Sequence, residues 1–218
     1  MLTTTDLLAQ LVAIDSRNPL LDAQGPGEAM IATATAEYLG AAGLEVTLLE
    51  TVPGRPSVIA RLRGAGDGPT LLLNAHLDTV GFGAMVAPLV PRIEAGRLYG
   101  RGAYDMKGGL AALLVATAQL AHGQLLRGDL IIAAVADEEH ASIGTEHVIA
   151  HLRDTGMRVD AAIVTEPTDL QLCVAHKGFA WASVTTHGRA AHGSRRADGV
   201  DAIAHMGRVL DALERLDA

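Results

Sequence analysis

Three short apolar runs, each about as long as a β-strand, most constrain what this chain can fold into. They are "TLLLNA" at 70–75, "DLIIAAVA" at 129–136 and "AAIVTEP" at 161–167. Segments with helical spacing separate them, among them "LAALLVATAQLAHG" at 110–123. Strands that are apolar along their whole length are typical of parallel sheets covered by helices on both faces. We therefore predict an α/β fold with a mostly parallel central sheet flanked by helices.

The remaining segments predict further elements and a second domain. Thr5 or Asp6 is the expected cap of a first helix, and a second helix is expected at about 28–42. Near residue 176 the pattern changes, because "FAWASVTTHG" alternates like a half-exposed strand and a clear helical pattern follows it. We predict one domain at 1–176 and, at 177–218, the start of an α+β domain that one strand and one helix cannot complete.

Composition limits the partners and the location that we expect. The chain has 17 basic and 25 acidic residues and a formal net charge of −8, which argues against binding to nucleic acid or to an anionic membrane. No apolar run approaches the ~20 residues of a membrane span. A single cysteine, Cys173, fits a reducing compartment, and its apolar neighbours predict a buried structural thiol. We expect a cytoplasmic protein with no nucleic-acid or membrane partner.

Polar residues follow each of the three apolar runs at its carboxyl end. In open α/β sheets these strand ends form the ligand crevice. The side chains expected to converge there, together with one from the glycine-rich segment "GRGAYDMKGG", are His76, Asp78, Glu138, Glu139, Glu166 and Asp105. Several carboxylates in one cleft repel each other unless a cation is present. One imidazole with several carboxylates suits zinc, cobalt or manganese.

Each of these residues also has an ordinary structural interpretation. His76 alone is more often a hydrogen-bonded core histidine, and Asp78 a turn residue. Asp105 and the acids of "DEE" are also common at the start of a helix. Asp78 could ligate a metal or accept the second ring N–H of His76. The conjunction of these residues at strand ends is what favours the metal site.

Four ordered motifs give the chain a resemblance to a known family. "NAHLDTV", "GRGAYDMKGG", "ADEEHASIGTE" and "TEPT" occur in the order seen in the co-catalytic zinc amidohydrolases and exopeptidases. That family includes acetylornithine deacetylase, succinyl-diaminopimelate desuccinylase, aminoacylase and glutamate carboxypeptidase. "AHKGFAWASVTTHGRAAHGS" further resembles the deacetylase branch. The resemblance implies a zinc exopeptidase-like catalytic domain followed by the first part of a lid and dimerisation domain.

The resemblance also implies a ligand set for two divalent metal ions, most often zinc. Carried over by position, His76 and Glu166 would hold one ion, and Glu139 would hold part of the second. Asp105 would bridge the two ions. The family has one more histidine ligand far downstream, and none of the nine histidines here has a matching context. We therefore expect the second site to be incomplete in this chain, and the chain to be a piece of a longer enzyme that ends within the lid.

The implied reaction is hydrolysis of the amide bond of an N-acyl amino acid or small peptide by a water that bridges the metals. In this resemblance Glu138 is the general base, Asp78 orients His76, and His192 reaches across a dimer to polarise the substrate carbonyl. The peptide between Asp105 and Met106 is expected to be cis. A homodimer through the lid helix at about 199–216 is also implied.

Two hypotheses from different classes remain open. The first is a dinuclear metallohydrolase of small N-acyl amino acids, similar to acetylornithine deacetylase. The second is an inactive fragment, or a non-catalytic metal-binding or interaction module that lacks the downstream histidine. Retention of both Glu138 and Glu139 favours the first hypothesis, because a binding protein has no need of a general base.

Overall fold

The structure of the protein is a computed structural model that describes residues 2–123, 126–178 and 180–216. The chain forms two compact units that divide between Gln171 and Leu172, close to the predicted domain boundary after residue 176. Among the described residues, the first unit carries two β-sheets and four α-helices, and the second carries one α-helix and a short 3₁₀ turn.

A five-stranded sheet lies at the centre of the first unit. In chain order, the strands of the described residues are β1 (Glu45–Leu49), β2 (Ser57–Leu62), β3 (Leu71–His76), β4 (Arg92–Glu94), β5 (Arg97–Tyr99), β6 (Leu130–Val135) and β7 (Ala161–Val164). The central sheet has the order β1-β2-β6-β3-β7, and β4 pairs with β5 in a separate hairpin. The three apolar runs of the sequence are therefore the neighbouring strands β6, β3 and β7.

Most strands of the central sheet run in the same direction. β3 is parallel to both β6 and β7, whereas β2 is antiparallel to both β1 and β6. Only β2 is reversed, because a short turn joins it to β1 and short connections favour antiparallel neighbours. The predicted α/β fold with a mostly parallel sheet is confirmed, with one reversed strand that the apolar pattern did not reveal.

The helices of the first unit are α1 (Thr4–Val12), α2 (Ala29–Ala41), α3 (Lys107–Gly123) and α4 (Ile143–Asp154). The cap of α1 is Thr3, two or three residues earlier than the predicted Thr5 or Asp6. The Thr3 hydroxyl accepts a hydrogen bond from the Asp6 backbone N–H at 3.1 Å, and the Asp6 carboxylate accepts one from the Thr3 backbone N–H. This reciprocal pairing satisfies two backbone donors at once, which explains why the helix starts there.

The core lies on both faces of the sheet, and β6 contributes to each. Leu130, Ile132 and Ala134 point into one apolar cluster, which α1, α2 and α3 cover. Ile131 and its alternate neighbours Ala133 and Val135 point into a second cluster, which includes buried residues of α4. A strand buried on both sides cannot alternate between polar and apolar residues, which accounts for its continuous apolar sequence.

The second unit differs from what the sequence predicts. Its elements are the 3₁₀ turn Arg196–Asp198 and α5 (Ala202–Glu214), whose cap Asp201 accepts two backbone N–H groups. The strand predicted at "FAWASVTTHG" is wrong for residues 180–188, and Phe179 lies outside the described residues. β-type pairing in the described part of this unit is limited to one bridge, between Arg189 and Val200. A strand needs a partner strand, and an alternating pattern alone does not supply one.

The prediction of a buried Cys173 is also wrong, because its side chain is exposed. Its apolar neighbours Leu172 and Val174 are exposed as well, since this segment is extended and forms no ladder with the described residues. An apolar run indicates burial only when a sheet or helix covers it.

Within the described ranges, every helix falls short of the length and apolar character needed to cross a membrane.

Two glycines let helices approach the strand ends closely. Gly109, in the first turn of α3, lies so near Thr165 that an added Cβ would sit 2.1 Å from the Thr165 carbonyl oxygen. Gly144, in the first turn of α4, is equally close to Ala136, where a Cβ would lie 2.3 Å from the carbonyl oxygen. Each contact braces the backbone that follows β7 or β6. The absence of a side chain at these positions thus supports the segments that carry the candidate site.

Replacing Gly109 with alanine is expected to destabilise the protein. The new methyl would collide with backbone rather than with a movable side chain, and overpacking of this kind costs about 1–3 kcal/mol. Gly40→Ala is the matched control, because Gly40 lies within α2 and a Cβ there would meet nothing within 4 Å. We expect that control to gain about 0.5–1 kcal/mol. Urea unfolding measures both changes, and an equal gain for Gly109→Ala would contradict the close packing.

Candidate metal centre

The carboxyl ends of three neighbouring strands meet at one edge of the central sheet. His76 ends β3 and lies opposite Val135, which ends β6. β7 lies on the other side of β3 and ends at Val164, and the chain reaches Glu166 two residues later. Because β3 lies between β6 and β7, Glu138 and Glu166 approach His76 from opposite sides.

His76 lies at the centre of a group of carboxylates. Its Nε2 atom is 3.1 Å from Asp105 Oδ1 and 3.8 Å from both Glu138 Oε2 and Glu166 Oε1. The imidazole is 1% exposed, whereas the three carboxylates are 35–53% exposed. One ligand atom each from His76, Asp105 and Glu166 lies within 4.8 Å of the others. Donor atoms at such spacing can share one divalent cation.

The loop that carries Asp105 is held on both sides. The peptide between Asp105 and Met106 is cis, as expected from the sequence. Met106 is fully buried, and its Sδ atom accepts the backbone N–H of His76 at 3.0 Å. The Tyr104 hydroxyl donates to Asp169 Oδ1 at 2.9 Å, which joins this loop to the segment after β7. Both sides of the cluster are thus tied together by contacts that the sequence did not predict.

Charges within the cluster shift the pKa values of its members. Burial by itself lowers the pKa of His76, but the hydrogen bond to Asp105 and the charges of Asp78, Glu166 and Glu138 together raise it to about 9. Burial and the neighbouring carboxylates raise the pKa of Glu166 to about 7, against the attraction of His76. In the metal-free chain the cluster therefore retains protons near neutral pH that carboxylates normally lose.

Glu139 borders this cluster. Burial first, and then the charges of Asp105, Asp78 and Glu138, raise the pKa of the Glu139 carboxyl, while His76 lowers it. The three-atom ligand group of the described residues does not include Glu139. Glu139 is close enough to share the same electrostatic field, which a second cation nearby would relieve.

The donor set fits a divalent cation. One imidazole and several carboxylates that repel each other provide the nitrogen and oxygen ligands that zinc, cobalt and manganese accept. A cation would also reverse the upward shifts in carboxyl pKa, because it stabilises the ionised form of each ligand. The expected convergence of His76, Asp105, Glu138 and Glu166 is therefore present in the fold.

Asp78 contacts His76 mainly through its backbone. His76 Nδ1 lies 2.9 Å from the Asp78 carbonyl oxygen and 3.6 Å from the carboxylate Oδ1. The carboxylate instead accepts the backbone N–H groups of Glu138, at 3.0 Å, and Glu139, at 3.2 Å. Asp78 thus orients the imidazole ring with its carbonyl oxygen and holds the backbone of the two glutamates with its carboxylate.

Three buried polar residues at this edge were not identified from the sequence. They are Asn18, Glu28 and Arg55. Arg55 donates to Glu28 through two nitrogens, at 2.5 and 2.8 Å, and to Asp137 Oδ1 at 2.7 Å. Asn18 and Arg55 lie in "SRNP" and "PGRP", segments rich in turn-forming residues where polar side chains are ordinary. No sequence signal separates them from surface loop residues.

His192 lies in the second unit. Its Nδ1 atom is 2.9 Å from the Ser194 hydroxyl, and its side chain is exposed. The role expected for His192, contact with a substrate carbonyl, stays a prediction.

Zinc is expected to stabilise the protein through His76. A ligand that binds only the folded state at about 100 times its Kd adds about 2.7 kcal/mol to the free energy of unfolding. We expect His76→Ala to abolish most of this gain, because the imidazole is the nitrogen ligand at the centre of the cluster. The measurement is the difference in thermal midpoint with zinc and with chelator, taken separately for each variant.

His122→Ala is the matched control for that experiment. His122 is exposed near the end of α3, so its loss should leave the zinc-dependent shift unchanged. A shift that persists in His76→Ala and disappears in His122→Ala would place zinc on surface histidines and remove the assignment.

Known proteins resemble this chain in sequence and in fold. A succinyl-diaminopimelate desuccinylase from Leptothrix cholodnii is 40% identical over 179 residues, which cover 78% of this chain and 45% of that protein. An acetylornithine deacetylase from Vibrio cholerae is 32% identical over 193 residues, 87% of this chain and 50% of that protein. The chain spans about half the length of these curated relatives.

A solved structure supports the same relationship. It is an M20 family metallo-carboxypeptidase from Sulfolobus solfataricus, with a TM-score of 0.65 and 26% identity over 76% of this chain and 37% of that one. The family described as Peptidase family M20/M25/M40 matches residues 72–210, which is more than half of the chain and includes all the residues of the cluster around His76. The chain therefore belongs to the M20/M25/M40 peptidase family.

Proposed function

We propose that the protein is a metal-dependent amidohydrolase that cleaves the amide bond of N-acyl amino acids, in the manner of acetylornithine deacetylase. The observation that supports this proposal is that an imidazole and three carboxylates lie close together at one edge of the sheet. His76 Nε2 has Asp105, Glu138 and Glu166 carboxylate oxygens within 3.8 Å. His76, Asp105 and Glu166 suit a cation, and the fourth group, the Glu138 carboxylate beside them, suits a proton-transfer role.

The proposed ligands follow from the cluster and from the family resemblance. His76 and Glu166 would hold one ion, Glu139 would contribute to a second, and Asp105 would be shared by both sites. Zinc is the first candidate, with cobalt or manganese as alternatives that the same donors accept. Only three ligand atoms are grouped closely among the described residues, which supports a first site that is better formed than the second.

The chemistry divides between the cations and Glu138. Bound divalent ions act as Lewis acids that polarise a carbonyl and make a water easier to deprotonate. Glu138 is the general base, which takes a proton from the attacking water onto its carboxylate. It then returns that proton to the nitrogen of the leaving amine, so that the products are a carboxylate and an amino acid. His192, reaching across the proposed dimer, is the proposed donor to the substrate carbonyl oxygen.

The substrate class is argued from the relatives as well as from the site. The two curated relatives are named for removing a succinyl and an acetyl group from amino-acid derivatives, and both align over most of this chain. We therefore propose a small N-acyl amino acid, with acetylornithine the first candidate and succinyl-diaminopimelate the second. A homodimer through α5 and a cytoplasmic location are further proposals that follow from the sequence.

Glu138→Gln is expected to separate metal binding from turnover. The change keeps the size of the side chain but removes its capacity to accept a proton, and a lost general base typically costs about 10²–10⁴ in rate. Zinc content, measured by elemental mass spectrometry, should stay the same. Release of free amine from N-acetylornithine and N-succinyl-diaminopimelate by the zinc-loaded chain reports turnover.

Glu146→Gln provides the control, because Glu146 is an exposed acid in the first turn of α4. It should match the wild type in both zinc content and turnover. Turnover that survives Glu138→Gln would overturn the assigned base. Zinc retained by a wild-type chain that hydrolyses neither substrate would favour the alternative, an inactive fragment or a non-catalytic metal-binding module.

A further inference from the structure

Asn18 joins two acidic turns that lie far apart in the sequence. It is fully buried in the loop between α1 and α2. Its side-chain Nδ2 donates to Asp78 Oδ2 at 2.8 Å and to Asp137 Oδ1 at 2.9 Å, while its Oδ1 accepts the Leu20 backbone N–H at 3.0 Å. Both amide hydrogens are used on carboxylates, and the opposite orientation would turn an oxygen toward two anions. The amide therefore has one satisfactory arrangement.

The two carboxylates that Asn18 contacts hold the turn after β6. Asp78 accepts the backbone N–H groups of Glu138 and Glu139, so the position of its carboxylate fixes the backbone from which both glutamate side chains extend. Asp137 has a φ of 62°, an uncommon conformation for a residue with a side chain. Its backbone N–H donates to Glu28 at 3.1 Å, which helps to keep that conformation. The backbone of residues 137–139 is thus held by side chains from other segments.

A neutral donor suits this position better than a cation. Asp78 Oδ1 lies 3.6 Å from His76 Nδ1, so the negative charge of the Asp78 carboxylate faces the imidazole. An amide holds the Asp78 carboxylate in place without cancelling that charge. Asp137 already has a cationic partner in Arg55, at 2.7 Å. The contribution particular to Asn18 is therefore to connect Asp78 with Asp137, and not to neutralise either.

We propose that Asn18 is a positioning residue for Glu138 and Glu139. Its amide ties Asp78 to Asp137 and so fixes the turn that presents the general base and a metal ligand. The inference deepens the proposed function and rests on it for its catalytic meaning. Its structural part, control of the turn at 137–139, is independent of any activity.

The first test measures amide hydrogen exchange in the metal-free chain. Asn18→Ala removes both donors, and we expect the Glu138 and Glu139 amides to exchange about tenfold faster than in a control of equal stability. Leu39→Ala is that control, because Leu39 is buried in α2 and is not part of the Asn18 contacts. Urea midpoints establish that the two variants are matched. Equal protection of both amides in the two variants would overturn the inference.

The second test measures zinc affinity and kinetics. Loss of residues that support metal ligands typically reduces metal affinity or activity roughly 10–100-fold. We expect a fall of this size in zinc affinity for Asn18→Ala, and a fall in kcat with little change in KM, while Leu39→Ala retains both. Asn18→Ser keeps a single donor and should fall between wild type and Asn18→Ala, and it replaces Asn18→Ala if that variant fails to fold.

The two tests separate the two proposals. Faster exchange at Glu138 and Glu139 in a chain that never hydrolyses an amide would support the role of Asn18 in the turn and overturn the proposed function. Normal hydrolysis by wild type, with unchanged exchange and unchanged zinc affinity in Asn18→Ala, would support the proposed function and overturn the role of Asn18.

Discussion

The parallel pairing of β3 with β6 is the constraint on which the candidate site depends. The register runs from Leu71 opposite Leu130 to His76 opposite Val135. A slip of one residue would turn His76 to the other face of the sheet. A slip of two residues would move it by about 6.6 Å along the strand, which exceeds the 3.8 Å between its Nε2 atom and Glu138 Oε2. The apolar residues of β6 hold the register, because each face packs into a different cluster.

The acids at this edge fall into two groups that differ in burial and in partner. Glu28 and Asp137 are fully buried and are paired with Arg55, a guanidinium that can bind both carboxylates. Asp105 and Glu166 are partly exposed and face His76. The protein thus supplies a permanent cation where water is excluded. It leaves partly open carboxylates at the cleft, where an ion from solution can enter.

The sequence predicted the residues at the strand ends better than the buried polar network behind them. His76, Glu138 and Glu166 could be found because each follows an apolar strand, and strand ends of a parallel sheet meet. Asp105 came from the family resemblance and from its glycine-rich context. The role of Asn18 could not be found, because it depends on a loop that folds back over the sheet. A contact across more than a hundred residues, as between Asn18 and Asp137, leaves no periodic trace.

The errors in the fold have a related cause. The alternating pattern at 180–188 and the apolar context of Cys173 are properties of short segments, and both predicted burial or pairing that the described neighbours do not provide. The reversed direction of β2 could not be predicted either, because the apolar pattern of a strand does not depend on the direction in which the strand runs. Local pattern located the three apolar strands of the first unit, but it did not predict their burial equally well. β6 is buried along its whole length, whereas β7 is the edge strand and is exposed at all four residues.

Buried ion pairs such as Arg55 with Glu28 and Asp137 are seldom a source of stability, because removing charges from water costs about as much as their attraction returns. Their value here lies in geometry. Carboxylates that repel each other spread apart unless the backbone that carries them is held. The Asp78 carboxylate and the Glu28 carboxylate both accept backbone N–H groups of residues 137–139. The buried network therefore allows a crowded, unfavourable arrangement of acids to persist, and a bound cation would convert that repulsion into affinity.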